Sequence, residues 1–76
     1  MTAPAAPPGD VHLSVNGEPR VVGPGTTVGS LLETLGWDGK GVAVAIGGQV
    51  VPRSAWQRVT LADGDLVEVV TAAAGG

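Results

Sequence analysis

The sequence predicts an α+β domain in which one helix packs on one face of a mixed sheet of four or five strands. Segments of alternating apolar and small or polar residues predict strands, because successive strand side chains point to opposite faces. One stripe of apolar residues at helical spacing predicts the helix. A length of 76 residues accommodates one such domain.

The first strand is predicted over 11–15, where Val, Leu and Val alternate with polar residues. Asn16 and Gly17 predict a two-residue hairpin turn, since both tolerate a positive φ. The chain then returns as a strand over 18–22. Pro19 suits an edge strand, because proline donates no hydrogen bond to a ladder.

The helix is predicted to begin after Thr26 or Thr27, whose hydroxyl can accept a hydrogen bond from a free backbone N–H of the first turn. Gly36 is a suitable end, because glycine adopts the left-handed conformation at little cost. The helix is therefore about ten residues long, and packing on the sheet must stabilise it. Its apolar stripe consists of Val28, Leu31, Leu32 and Leu35.

The third strand is predicted over 42–46, where bulky residues on one face alternate with alanines on the other, as in a central strand. Gly47 and Gly48 turn the chain into a short strand over 49–51. Pro52 ends that strand, and 54–56 follow as one helical turn or an irregular loop.

The last strand is predicted over 66–70, after a turn formed by Asp63, Gly64 and Asp65. Glu68 should face water, which directs Val67 and Val69 into the core. Leu66 and Val70 then share the outer face with Glu68.

This order of elements matches the ubiquitin-like β-grasp arrangement, and by analogy with that fold the first and last strands lie side by side and parallel at the centre. The domain is expected to span 10–70. The Pro/Ala-rich segment 1–9 is expected to be disordered, and it lacks the features of a signal peptide, so the cytoplasm is the expected location. Residues 71–76 are expected to form a flexible tail ending in Gly-Gly.

The composition excludes several classes of function. There is no Cys and only one His, which excludes thiol catalysis, disulfides and zinc sites built on Cys or several His. A net charge of −3 with four basic residues argues against nucleic-acid binding. No segment has the roughly 20 apolar residues of a membrane span. No nucleophile–base pair, metal cluster or phosphate loop is recognisable, so no catalytic or metal residue is predicted.

Several smaller features have a plain structural interpretation. The Gly-Pro-Gly segment 23–25 precedes a helix, but no P-loop lysine follows, and we interpret it as a turn. His12 is expected to be solvated, and Asp63 and Asp65 to form a turn rather than a cation site. Trp56 is expected to cover a sheet end. Two interpretations stay open for Arg53 and Arg58, namely solvated charges or contacts to an acidic partner.

The outer sheet face is a candidate docking surface for a partner protein. The alternative is a strand face that simply carries small side chains. The candidate docking residues are Ala43, Ala45, Glu68 and Val70, with His12 and Ser14 beside them.

The last two residues, Gly75 and Gly76, are the most informative for function. A free carboxylate on Gly76 can attack the α-phosphate of ATP when a partner enzyme positions the two groups. Glycines without Cβ, together with the small Ala74, let a chain thread a narrow channel in a partner. The six residues 71–76 reach about 20 Å when extended.

The chain from 11 to 76 resembles the ThiS-type sulfur carrier proteins of thiamine biosynthesis, in the ubiquitin-like β-grasp superfamily. Asn-Gly, Asp-Gly-Asp and the final Gly-Gly also occur in MoaD-type carriers of molybdopterin synthesis, whereas Val-Pro-Arg-x-x-Trp favours the ThiS type. Two departures are the three alanines at 72–74, where family tails often carry a bulkier residue, and the N-terminal extension. The stretches that carry the resemblance are Val15-Asn16-Gly17, Thr27-Val28 with Leu31-Leu32, Val44-Ala45-Ile46, Val51-Pro52-Arg53 with Trp56, Asp63-Gly64-Asp65, and Gly75-Gly76.

The resemblance implies a carrier cycle in which the protein is a cosubstrate and not an enzyme. A ThiF-type, E1-like adenylating enzyme would activate Gly76 with ATP and Mg²⁺. Sulfur from a donor such as a cysteine desulfurase would then convert Gly76 to a thiocarboxylate. A ThiG-type thiazole synthase would accept the sulfur. The alternatives are a MoaD-type carrier for molybdopterin or another sulfur-containing metabolite, and a ubiquitin-like modifier or interaction module.

Overall fold

The computed structural model describes residues 10–37 and 40–71, and the elements in these ranges follow the predicted order. A single turn of 3-10 helix, Arg53–Ala55, lies where a helical turn was one of the two predicted outcomes. The strands and the helix are β1 (Val11–Val15), β2 (Glu18–Val22), α1 (Val28–Thr34), β3 (Val42–Ile46), β4 (Gln49–Val51) and β5 (Leu66–Thr71).

The strands form one mixed five-stranded sheet in the order β2-β1-β5-β3-β4. β1 and β5 are parallel, and the other neighbours are antiparallel. The predicted mixed sheet and its parallel central pair are therefore confirmed. β5 reaches Thr71, one residue beyond the predicted strand. The predictions for 1–9 and for 72–76 lie outside the described residues.

Pro19 occupies a position on edge strand β2 where a proline removes no ladder hydrogen bond. It lies opposite Ser14 of β1. The N–H of Ser14 donates to the Asp65 carbonyl on the β5 side, 3.0 Å away. The backbone of Pro19 therefore faces away from β1, as the sequence predicted for an edge strand.

Helix α1 has well-defined caps at both ends. The Thr27 side chain accepts a hydrogen bond from the Ser30 N–H at 3.1 Å, which decides between the two predicted caps. At the other end, Gly36 has a φ of +86° and donates to the Glu33 carbonyl at 3.0 Å, closing a Schellman-type end. The helix has seven residues rather than about ten, because these two caps leave no further turn between them.

The core lies between α1 and one face of the sheet. Trp56 is only 6% exposed and belongs to this main core rather than to a sheet end. Leu61 is also buried, although no periodic pattern predicted it. Its N–H donates to the Thr26 carbonyl at 2.9 Å, which draws the segment before β5 under the helix. The other buried residues are Val11, Leu13, Val15, Val28, Leu31, Leu32, Val44, Val67 and Val69.

Within 10–37 and 40–71, no helix has the length and apolar character needed to cross a bilayer. α1 has seven residues, about a third of the roughly 20 that a span requires.

Candidate docking face and C-terminal arm

The sheet has one face turned away from α1, which we call the outer face. The predicted inward direction of Val67 and Val69 is confirmed, since both are buried. The alternation along β5 therefore places the intervening side chains on the outer face, as the sequence predicted. With the register of the other strands, the outer face consists of His12, Ser14, Pro19, Val21, Ala43, Ala45, Val50, Leu66, Glu68 and Val70.

Four large apolar side chains stand exposed on this face. Leu66 and Val70 of the central strand are 62% and 60% exposed. Val21 and Val50, on the two edge strands, are 56% and 73% exposed. The sequence did not indicate these two valines, because neither edge strand shows a clear alternation. Large apolar side chains exposed on the central strand and on both edge strands of one face are typical of a site that another protein covers.

The register gives the outer face a distinct relief. Ala43 lies opposite Val70, and Ala45 lies between Glu68 on β5 and Val50 on β4. The alanines form a low row, so the β5 side chains project above it. Glu68 is the one carboxylate among the outer-face residues, and it stands between two apolar neighbours on its own strand. A complementary surface would be apolar and would carry one cationic group.

A groove of about 360 Å³ opens on the outer face beside the first hairpin. Val21 and Leu66 form apolar walls, while His12 and Ser14 contribute polar groups. The groove is open and shallow, which fits a protein side chain better than an enclosed small molecule.

The Asp63–Asp65 segment is a structural turn, as the sequence indicated. An Asp63 carboxylate oxygen accepts from the His12 N–H at 2.7 Å, and an Asp65 carboxylate oxygen accepts from the Ala62 N–H at 2.8 Å. These bonds occupy the carboxylates in holding the chain before β5. Across the described ranges, no group of three or more His, Cys, Asp or Glu side chains is placed to hold a metal ion.

The Gly-Pro-Gly segment 23–25 is also a turn. The Thr26 hydroxyl donates to the Gly23 carbonyl at 2.7 Å, which closes the turn before α1. The segment is therefore the turn that the sequence predicted. His12 is exposed, as expected for a solvated side chain.

Arg53 lies on the helix side of the molecule, away from the outer face. Its guanidinium carbon is 5.9 Å from the centre of the Trp56 ring, within the range of a cation–π contact. The Trp56 indole N–H in turn donates to the Val51 carbonyl at 3.0 Å. Arg53 thus covers the edge of the core, and Arg58 is exposed.

The end of β5 leads to residues 72–76, which we call the C-terminal arm. Beyond Val67, β5 has β3 on one side but no backbone partner from β1 on the other. The Asn16 carboxamide takes that place. Its oxygen accepts from the Val69 N–H at 2.8 Å, and its nitrogen donates to the Val69 carbonyl at 3.2 Å. The sequence predicted Asn16 only as a turn residue. Gly76, Gly75 and Ala74 lie outside the described residues.

The mixed five-stranded sheet and its single helix define a ubiquitin-like β-grasp domain. The structure superimposes on the crystal structure of the thiamine biosynthesis protein ThiS from Geobacter metallireducens with a TM-score of 0.69. The two chains are 34% identical, and the match covers 80% of this chain and 93% of the other.

Residues 13–76 match the sequence pattern of the ThiS family. The chain belongs to the ThiS family. It is 42% identical over 52 residues to the sulfur carrier protein ThiS of Escherichia coli K12, covering 68% of this chain and 79% of that protein. The resemblance to ThiS-type sulfur carriers drawn from the sequence is thereby confirmed.

A thiazole synthase of Paramagnetospirillum magneticum AMB-1 is 41% identical to this chain over 66 residues. The match covers 87% of this chain. The chain spans only about one fifth of that relative's length, since the match covers 20% of it.

Proposed function

We propose that this protein carries sulfur as a thiocarboxylate on Gly76 and donates it for the thiazole ring of thiamine. In this proposal a ThiF-type, E1-like enzyme docks on the outer face and adenylates Gly76, using ATP and Mg²⁺ bound by the enzyme. A cysteine desulfurase supplies the sulfur, and a ThiG-type thiazole synthase accepts it. The protein is the cosubstrate of each partner and has no catalytic residue.

The observation that carries the proposal is that β5, the central strand of the outer face, is also the strand that precedes the arm in the sequence. β5 presents Leu66, Glu68 and Val70 outward and ends at Thr71. A partner that covers the outer face therefore holds the strand from which the arm continues. The five residues 72–76 span about 17 Å when extended, enough to reach an active site beside the docking surface.

The proposed chemistry needs only a carboxylate from this chain. A carboxylate oxygen of Gly76 attacks the α-phosphorus of ATP, and pyrophosphate leaves with the electron pair of the broken P–O bond. A persulfide sulfur then attacks the carbonyl carbon of the acyl adenylate, and AMP leaves. Reductive cleavage of the resulting S–S bond by a thiol leaves the thiocarboxylate on Gly76 and a disulfide on the donor side. The family match runs to Gly76, which supports this residue as the carrier of the reacting group.

The relation to a thiazole synthase supports the proposed acceptor. A stretch similar to 66 residues of this chain is part of a polypeptide named thiazole synthase. Joining a carrier to the enzyme that it serves raises the effective concentration of the pair. The same relation favours delivery to thiazole synthesis over delivery to molybdopterin.

The test is an intact-mass measurement after incubation with the adenylating enzyme, ATP and a persulfide donor. We expect the mass increase of one oxygen-to-sulfur exchange, which disappears when Gly76 is deleted. An exchange that persists without Gly76 would contradict the proposed site. Adducts on substrate lysines would instead support a ubiquitin-like modifier. Sulfur transfer to a molybdopterin precursor, and not to the thiazole synthase reaction, would support a MoaD-type carrier.

A further inference from the structure

Two turns with nearly the same backbone lie beside the central strand β5, one on each side of it. Asn16 and Gly17 have φ angles of 52° and 86°, and Gly47 and Gly48 have φ angles of 58° and 85°. The Gly47 N–H donates to the Leu66 carbonyl at 2.9 Å, at the beginning of β5. The Asn16 turn lies on the β1 side, where the Asn16 N–H donates to the Val67 carbonyl and the side chain reaches Val69. Glycine therefore satisfies this turn geometry in the same sheet, and the turn alone does not require asparagine.

The Asn16 side chain makes hydrogen bonds that glycine cannot make. Its carboxamide bonds both the N–H and the carbonyl of Val69, as a neighbouring strand would. The Asn16 N–H donates to the Val67 carbonyl at 2.9 Å, so backbone and side chain together continue the β1–β5 ladder. Two residues later β5 ends at Thr71. Val69 is 6% exposed whereas Asn16 is exposed, so the two part-buried bonds connect the core to the surface of the domain.

We propose that Asn16 is a positioning residue for the carrier reaction. Its side chain holds β5 at Val69 and so sets where the arm leaves the domain. This inference rests on the proposed function. With the carboxamide in place, β5 is held on both sides up to Val69, and the arm starts from a defined point beside the outer face. Without it, the end of β5 is held by β3 alone, and the partner must order more of the chain before Gly76 reaches ATP.

The effect should fall on arm insertion and not on docking. Asn16 is not part of the outer face, and its removal leaves Leu66 and Val70 available to the partner. The KM for the carrier in adenylation should therefore stay within about twofold of the wild type. The kcat should fall by about fivefold, the factor that corresponds to one net hydrogen bond.

Three proteins test this, namely wild type, Asn16→Asp and Asn16→Gly. Aspartate and glycine both tolerate the positive φ at position 16. Asn16→Asp keeps an acceptor for the Val69 N–H but puts a carboxylate oxygen, which the Val69 carbonyl repels, in place of the donor, and Asn16→Gly loses both bonds. We expect hydrogen exchange of the Val69 amide to quicken by about fivefold or more in Asn16→Gly, and to quicken in Asn16→Asp as well. The Gly47 amide, which donates to the Leu66 carbonyl on the β3 side of β5, is the internal control and should not change.

Adenylation kinetics complete the test, with kcat expected to fall below the wild-type value in both variants. A residue needed only for the turn would leave kcat unchanged in Asn16→Gly, since glycine suits the turn at least as well as asparagine. An Asn16→Gly protein with wild-type kcat, or with an unchanged Val69 amide, would overturn the inference. A wild-type protein that shows a protected Val69 amide but no adenylation would remove the proposed function and the positioning role with it.

Discussion

Position 45 allows docking and stability to be separated by two substitutions of opposite charge. Ala45 lies on the outer face directly opposite Glu68, with Val50 on its other side. Ala45→Glu places a carboxylate opposite the Glu68 carboxylate, whereas Ala45→Lys places an ammonium group there. Both add a long charged side chain to the low row of alanines, where the proposed partner would pack.

The two variants should differ in stability. Like charges directly opposite each other across a sheet destabilise it, and opposite charges stabilise it, each by about 0.2–1 kcal/mol. The free energy of unfolding of Ala45→Lys should therefore exceed that of Ala45→Glu by about 1 kcal/mol. For a domain of this size, that difference corresponds to about 4–8 °C in Tm. Added salt should reduce the difference, because both groups are near the surface.

Adenylation should respond differently. Either long charged side chain would be buried in the low row of alanines where the partner packs, so kcat/KM should fall by about tenfold or more in both variants. Thr34→Glu and Thr34→Lys are the matched controls, since Thr34 is exposed at the end of α1, on the opposite side of the sheet. They should keep wild-type kcat/KM. If the rates of the two Ala45 variants follow their Tm values, or both equal the wild-type rate, then the outer face is not the docking surface.

Three further predictions concern the fold and its link to docking. Val67→Ala should lower the free energy of unfolding, measured in urea, by about 2–3 kcal/mol, because Val67 is 1% exposed. Val70 is 60% exposed, so Val70→Ala should change the free energy of unfolding by less than about 0.5 kcal/mol, yet it should lower kcat/KM for adenylation. Gly36 has a φ of +86°, so Gly36→Ala should destabilise the domain by about 1 kcal/mol. Gly23 has no positive φ and has open space around it, so Gly23→Ala should be neutral or stabilising. Equal effects of the two substitutions would contradict the helix end described above. Thr27→Ala should lower the free energy of thermal unfolding by about 1 kcal/mol, and Thr27→Asp should keep most of the wild-type stability. An unchanged Tm in Thr27→Ala would show that the cap does not contribute to stability.

Most elements of this fold were predictable because their signals are local. Side-chain alternation placed β1, β3 and β5, and the two hairpin turns follow from residues that accept a positive φ. The buried face of β5 could also be predicted, because the charged Glu68 must face water and its neighbours Val67 and Val69 therefore face the core. The outer-face residues of β3 and β5 follow from the same reasoning.

Other features depend on contacts between distant parts of the chain. Leu61 is buried because its segment pairs with the start of α1, at Thr26 and Thr27, more than thirty residues earlier. Val21 and Val50 join the outer face through their register with neighbouring strands, which neither edge sequence reveals. No local pattern carries such information, because a register is decided by which strands meet.

The sequence by itself determined the composition of the arm, with its Gly-Gly, and the alternation along β3 and β5 that directs alanines, Leu66 and Val70 to one face of the sheet. Only the tertiary structure decided how these parts are joined. β5 lies at the centre of the sheet, so the strand that carries Leu66, Glu68 and Val70 on the outer face is also the strand that precedes the arm in the sequence. The structure also gave Asn16 its second role, since its carboxamide meets Val69 only when strands 53 residues apart lie side by side. A turn signal can be read from two adjacent residues, but a bond between distant strands exists only after the chain has folded.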